Sequence, residues 1–287
     1  MISPTEKAAI LIEALPYIQK FFGKTVVIKL GGHAMLNSEL EKLILQDIIL
    51  MKLVGMNPVI IHGGGPEINY WLQKTGKKTK FVHGLRVTDK HTIELVEMVL
   101  SGNINQRIVQ QINNLGGRAI GISGKDAQLI QTKKKRIASE TELGFVGEIE
   151  EIKPEIIELL SKQDLIPVIS PLGYGLDGHT YNINADYAAG ALSGALKAHK
   201  LVMLTDVEGI YLNQDTATHV SQLTVKEIKH YLKQGIINGG MIPKVESCLL
   251  ALEYGVSHVH IINGQKPHTL LLEIFTNQGI GTMIVPS

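Results

Sequence analysis

This 287-residue chain has one cysteine, Cys248. No disulfide can form within it, and a reducing compartment is expected. Charge of either sign is not in excess: the formal net charge is +1. Nothing in that balance calls for nucleic acid or an anionic membrane surface as partner. No apolar run approaches the ~20 residues of a membrane-spanning helix. The N-terminus carries acidic residues and no small-residue cleavage pattern, so no secretory leader is read there. Two nucleotide-binding fingerprints are also missing. No G-x-G-x-x-G opens a helix after the first strand-like run, which disfavours a dinucleotide-binding Rossmann enzyme. Gly23-Lys24-Thr25 ends like a P-loop, but Ile18 stands where that motif needs its first glycine, and the segment enters a strand.

What is present begins with composition. Apolar residues make up 44% and charged residues 19%, enough for a sizeable core and against wholesale disorder. The length suits one large α/β domain or two modest ones. Two segments stand out. Lys29-Leu-Gly-Gly ends one apolar strand, and His62-Gly-Gly-Gly-Pro ends the next. Each reads strand, glycines, helix start. Glycines let backbone N–H groups approach an anion, and a helix N-terminus favours negative charge. Two such turns at the ends of neighbouring strands suggest a phosphate passed between two sites, with Lys29 as a mobile positive charge. Tight βα turns with no ligand are the competing reading.

Residues 6–22 read as an amphipathic helix kinked at Pro16, with Leu11, Ala14, Leu15, Ile18 and Phe22 on one face. Strands are expected over 25–30, 58–62, 119–122, 166–170, 201–205, 259–262 and 282–285. Helices are expected from Ser38, with Glu41 completing a capping box, to about Gly55, then after Pro66, and over 89–114, 185–196, 224–234 and 241–254. Segments 129–137 and 144–152 read as a hairpin or lid; its Lys133–Arg136 run reads as a solvated turn. A glycine-rich loop is expected over 171–179. Repeated strand–helix alternation predicts an α/β fold, a three-layer αβα sandwich on an open, mainly parallel sheet. The softest boundary lies near 190–198. His62, His258 and His260 read as strand-end and β-surface residues, because no cluster completes four metal ligands. Cys248 reads as a small buried apolar residue.

Six segments occur in order: IKLGGHAM at 28–35, HGGGPEI at 62–68, GLRVTD at 84–89, YNINAD at 181–186, LTDVEGIY at 204–211 and GGMIPK at 239–244. Together they resemble the amino acid kinase family along essentially the whole chain, and within it the branch acting on N-acetyl-L-glutamate. The resemblance implies transfer of the ATP γ-phosphoryl to the substrate γ-carboxylate in arginine synthesis, in the cytoplasm. That carboxylate is already ionised at neutral pH, so positioning and charge neutralisation are needed rather than a general base. The implied catalytic set is Lys29, Lys244 and Asp186, with backbone N–H groups around Gly32 and Gly64. Arg86 is the fork for the α-carboxylate, with Asn182 and Asn184 as amide readers and Gly64 and Gly65 passing close to substrate. The nucleotide is expected against Lys29, Gly31, Gly32, Thr205, Asp206, Gly209, Ile210, Tyr211, Gly240, Met241 and Lys244. Mg²⁺ is expected on the ATP phosphates, with no protein metal ligand.

The resemblance also implies a division into an oligomerisation helix (1–22), an amino-acid-substrate lobe (23–194) and a nucleotide lobe with a regulatory tail (195–287). The N-terminal helix and the tail are similar to the arginine-inhibited branch, a hexameric trimer of dimers. Tyr17, His268, Glu273, Gly281 and Met283 are then the expected arginine contacts, and Gln265 departs from that branch's pattern. Glu273 otherwise reads as a capping or pairing residue on a surface helix. A nitrogen-signalling PII protein is a further partner to consider. A catalytically silent nucleotide or arginine sensor on the same fold stays open as an alternative.

Overall fold

A computed structural model describes residues 3–31, 35, 37–137, 142–212, 219–276 and 279–286. Among these residues the main sheet has eight strands. Strand β1 (Thr25–Leu30) is central. On one side lie β2 (Asn57–His62), then β8 (Ile166–Ser170) and β5 (Ala119–Ser123). On the other lie β11 (Lys200–Thr205), β15 (His258–Asn263), β16 (Thr282–Val285) and β14 (Gln222–Thr224). Pairings are parallel from β15 to β5, and β16 runs antiparallel to β15. Parallel neighbours need long crossovers, and helices supply them.

Side chains alternate between the faces of a strand. Val26, Ile28 and Leu30 point to one face with Ile60, Val202 and Leu204; that face is covered by α3 (Ser38–Leu53), α5 (Lys90–Glu97) and α6 (Gln106–Asn114). Val27, Val59, Ile61, Leu201 and Met203 point to the other, under α8 (Ala185–Ala195) and α10 (Met241–Glu253). These two helices lie close because Gly190 carries no side chain: a Cβ there would sit 2.5 Å from the Ser247 carbonyl oxygen. Lys29 shares the parity of Val27, so its side chain is sent toward α8.

A second sheet, in the order β10-β9-β6-β7, covers one end. It comprises β6 (Ile130–Lys134), β7 (Gly147–Ile152), β9 (Leu172–Gly175) and β10 (Thr180–Asn182). The expected 129–152 hairpin is its β6–β7 pair. The stretch 171–179, expected as loop, opens with strand β9 and is turn and loop from residue 176 on. Lys133 and Lys134 lie within β6 rather than in a turn, paired with Glu148, Glu150 and Glu142.

Other expectations need correction. Ser38 does not cap α3; Asn37 does, accepting from the Glu39 and Leu40 N–H groups. Glu41 is buried and paired with Arg107 on α6. The 89–114 helix is continuous, but Met98–Asn105 is wound as a π-helix. Helices Glu155–Lys162 and Thr269–Phe275 escaped the sequence reading. At the N-terminus, Pro4–Glu13 and Leu15–Phe21 are separate helices broken at Ala14, with Ser3 and Glu6 forming a capping box. Phe21, not Phe22, is buried; Leu11, Leu15 and Phe22 are exposed. Among the described residues no helix is long and apolar enough to cross a membrane.

Candidate active site

Helix α4 (Gly65–Lys74) starts directly after β2 and the glycine turn. A Cβ at Gly64 would fall 2.5 Å from Leu100 Cδ2 and 2.6 Å from Ile104 Cδ1, so any side chain there would push these two side-chain ends of the π-helical segment away from the turn. Gly63 N–H donates to the Leu30 carbonyl at 2.9 Å, tying the turn to β1. The Asn184 side-chain oxygen caps α8, accepting from Asp186 N–H at 2.8 Å and Tyr187 N–H at 3.3 Å. That leaves Asp186 in the first turn of α8, facing Lys29.

The Lys29 ammonium lies 2.7 Å from Asp186 Oδ1, and that of Lys244 lies 3.4 Å from Oδ2. One carboxylate therefore bridges two cations. Burial acts to raise the Asp186 carboxyl, but Lys29 and Lys244 outweigh it and hold it below its ordinary value. Arg86 comes from the hairpin of Phe81–Val82 and Leu85–Arg86, which the sequence reading did not anticipate. Its guanidinium donates to Asn69 Oδ1 at 2.7 Å and to the Gly65 carbonyl at 3.2 Å, and lies over the Phe81 ring. These partners are neutral. Burial lowers the guanidinium pKa to about 10, far enough above neutrality to keep its charge.

Lys29, Gly64, Gly65, Arg86, Asn182, Asn184 and Asp186 all line one cavity of about 280 Å³. The sequence reading had drawn these residues from four separate stretches of chain. One role is narrower than expected: the Asn184 oxygen is occupied by its cap, which leaves its amide N–H₂ as the group free to read a ligand. Asn69 and Phe81, which hold Arg86, had not been singled out; their partner lies across a hairpin that periodicity did not signal. Gly31 is packed against β11, where a Cβ would lie 2.6 Å from the Leu204 carbonyl oxygen. Gly32 lies outside the described residues.

The amino acid kinase family model matches residues 24–263. The chain belongs to the amino acid kinase family. It is 57% identical over 279 residues to the acetylglutamate kinase of Caldanaerobacter subterraneus subsp. tengcongensis, covering 97% of this chain and 93% of the relative. Acetylglutamate kinases of Desulforamulus reducens and Methanocaldococcus jannaschii are 54% and 53% identical, each comparison covering 99% of this chain, and 99% and 98% of the relatives. Among solved structures, N-acetylglutamate synthase from Neisseria gonorrhoeae with coenzyme A and N-acetyl-glutamate superposes with a TM-score of 0.85 at 26% identity, over 98% of this chain. The chain spans only 63% of that synthase. Giardia lamblia carbamate kinase bound to AMP-PNP has a TM-score of 0.67 at 18% identity, over 92% of this chain and 99% of its own, and shares the fold.

Two further cavities matter in an amino acid kinase. One, of about 910 Å³, is lined by Asp206, Gly209, Ile210, Tyr211 and Met241, five of the residues expected against the nucleotide, and also by Gly235–Asn238, Asn263 and Gln265. Thr205 is buried behind it, donating to Asp206 Oδ1, and Gly240 caps the start of α10 outside its lining. Gln265 thus belongs to this cavity and not to the tail. Among the described residues no group of His, Cys, Asp or Glu is gathered to hold a metal ion.

The other cavity, about 420 Å³, lies between the N-terminal helices and the tail and is lined by Tyr17, Glu273, Gly281 and Met283, together with Lys200 and His260. His268 is elsewhere: its Nδ1 bonds Asp47 Oδ1 at 2.7 Å. Glu273 is buried rather than on a surface helix, 2.5 Å from His260 Nδ1 and 3.6 Å from the Lys200 ammonium. Burial raises its carboxyl, but these neighbours outweigh it and hold it low. His260 is likewise buried, not at a β surface. Cys248 is fully buried, and burial pushes its thiol up, away from reactivity.

Proposed function

We infer that the chain transfers the γ-phosphoryl group of ATP to the γ-carboxylate of N-acetyl-L-glutamate, giving N-acetyl-L-glutamyl 5-phosphate for arginine synthesis. The observation that carries this reading is Arg86. It is a buried cation with neutral partners, on the wall of the cavity that Lys29 and Asp186 also line, Lys244 being joined to them through Asp186. Such a cation calls for an anionic ligand, and a fork suits a carboxylate. The acetylglutamate kinases among the relatives support the same substrate.

In this reading the α-carboxylate sits on Arg86, the acetamido group against Asn182 and the Asn184 amide, and the γ-carboxylate near Gly64, Gly65 and Lys29. ATP fills the larger cavity, its terminal phosphates reaching Lys29 and Lys244, with Mg²⁺ carried on the phosphates. Lys29 neutralises the phosphoryl group in flight, Lys244 the ADP leaving group, and the backbone N–H group of Gly64 receives an equatorial oxygen. Asp186 holds the two ammonium groups in place and offsets their mutual repulsion. The intact bridge favours a kinase over a silent sensor.

Regulation is part of the proposal. The tail cavity takes L-arginine, with Glu273 receiving the guanidinium once it releases Lys200, and Gly281 near the α-carboxylate. The synthase relative has been solved with L-arginine. The exposed Leu11, Leu15 and Phe22 then pair subunits into a hexamer in the cytoplasm. The test is ADP release with N-acetylglutamate, glutamate, aspartate, carbamate and UMP side by side. Equal turnover of glutamate and N-acetylglutamate refutes the substrate assignment.

A further inference from the structure

His62 ends β2 and opens the glycine turn, yet its side chain faces away from the substrate cavity, and no exposure remains to it. Its imidazole Nδ1 lies 2.8 Å from the carbonyl oxygen of Gly63, the next residue. A carbonyl only accepts, so the proton is on Nδ1 and Nε2 carries the lone pair. That nitrogen accepts from the Asn105 amide N–H₂ at 3.3 Å; Ser170 Oγ lies 3.2 Å from it, but its single proton goes to a backbone carbonyl. Burial holds the ring neutral, with a pKa of about 4, as one donor and one acceptor require.

The partners are themselves fixed. The Asn105 amide donates to the Val168 carbonyl at 2.9 Å. Its oxygen occupies the space above Gly121, where a Cβ would fall 1.8 Å from it. Ser170 donates to the Leu100 carbonyl at 3.3 Å, and both Leu100 and Asn105 belong to the π-helical segment. π-Helical winding changes which carbonyls find partners within the helix, and here one turns to Ser170. The same segment places Leu100 and Ile104 against Gly64. The glycine turn is therefore gripped twice: by packing from the π segment, and by a hydrogen bond from His62 to the carbonyl that precedes Gly64.

We propose that His62, anchored by Asn105, is a positioning residue for phosphoryl transfer. It clamps the Gly63 carbonyl, fixing the peptide that follows and so the direction of the Gly64 N–H group toward the transferring phosphoryl. This rests on the kinase reading above. It touches neither substrate nor nucleotide and acts wholly through the turn. Misaiming a preorganised donor by a fraction of an ångström lowers kcat more than it weakens ground-state binding.

The two nitrogens can be separated by substitution. The amide nitrogen of asparagine stands the same number of bonds from Cβ as Nδ1, and that of glutamine the same number as Nε2. His62→Asn keeps a donor for the Gly63 carbonyl; His62→Gln does not. Wild type and both variants are assayed for ADP release with N-acetylglutamate and ATP, and their melting temperatures are recorded. The clamp predicts that His62→Gln loses kcat by about ten- to a hundredfold with KM for ATP nearly unchanged, whereas His62→Asn stays within about threefold of wild type. Equal kcat in the two variants, or a better glutamine variant, overturns the clamp. So does a glutamine variant that loses melting temperature but keeps kcat, which is the signature of a purely structural histidine. If the wild type itself does not turn over, the kinase reading fails instead, and the two failures are distinct.

Discussion

Replacing Asp186 by asparagine keeps the shape of the lysine bridge and removes its charge. Two ammonium groups, at 2.7 and 3.4 Å from the carboxylate oxygens, then lose their shared counter-charge. At an effective dielectric constant of ~20, those attractions are about 6 and about 5 kcal/mol. Desolvating the carboxylate opposes them, and breaking a buried pair by removing one partner typically has a net cost of about 3–5 kcal/mol. Lys29 and Asp186 are 6% and 8% exposed, so solvent screens this pair little. For a chain of this size the loss corresponds to a melting temperature lower by about 6–20 °C. Without their anchor the two lysines diverge, and kcat should fall about 10²–10³-fold, the scale of losing one preorganised donor. Nucleotide phosphates restore the missing negative charge, so ATP should raise the melting temperature of Asp186→Asn more than that of the wild type. Differential scanning fluorimetry with and without ATP, beside a coupled ADP assay, measures all three. A variant within threefold of wild-type kcat, or one that ATP stabilises less than the wild type, refutes the bridging role.

Arg86→Lys keeps a charge but loses the fork held by Asn69 and the Gly65 carbonyl; KM for N-acetylglutamate should rise about tenfold or more in initial-rate assays, with KM for ATP unchanged. His62 stays neutral in the fold, with a pKa of about 4 against 6.5, and Arg107 is the charge acting on it. The unfolded chain binds the extra proton first, so stability rises with pH across that window; chemical denaturation at pH 7 and pH 4 should show His62→Asn losing up to about 3 kcal/mol less than wild type on acidification. Deleting residues 1–22 removes the exposed Leu11, Leu15 and Phe22 and should reduce the mass seen by light scattering to that of a dimer while ADP release persists. Glu273→Ala should shift an L-arginine inhibition curve to higher concentration by tenfold or more, because the cavity loses its carboxylate.

Particular residues show how far each level of description reached. The apolar runs of β1, β2 and β11 and the glycines after β1 and β2 announced a parallel sheet with tight turns at its strand ends, because a strand buried on both faces and a tight turn are local demands on residue type. The ordered motifs likewise held Lys29, Arg86, Asn182 and Asp186, which line one cavity, and Lys244, which pairs with Asp186. Tertiary structure alone decided which partner each polar residue took. Glu41 had a local helix cap within reach and instead pairs with Arg107, sixty-six positions along the chain. Asn184 spends its oxygen on a helix start, Glu273 is held by Lys200 and His260 from neighbouring strands, and His268 turns to Asp47. The clamp on the glycine turn joins His62 to Asn105. Periodicity reports which face of an element is buried; a hydrogen bond between distant residues depends on where two elements cross, and that is set by packing of the whole sheet and its helices.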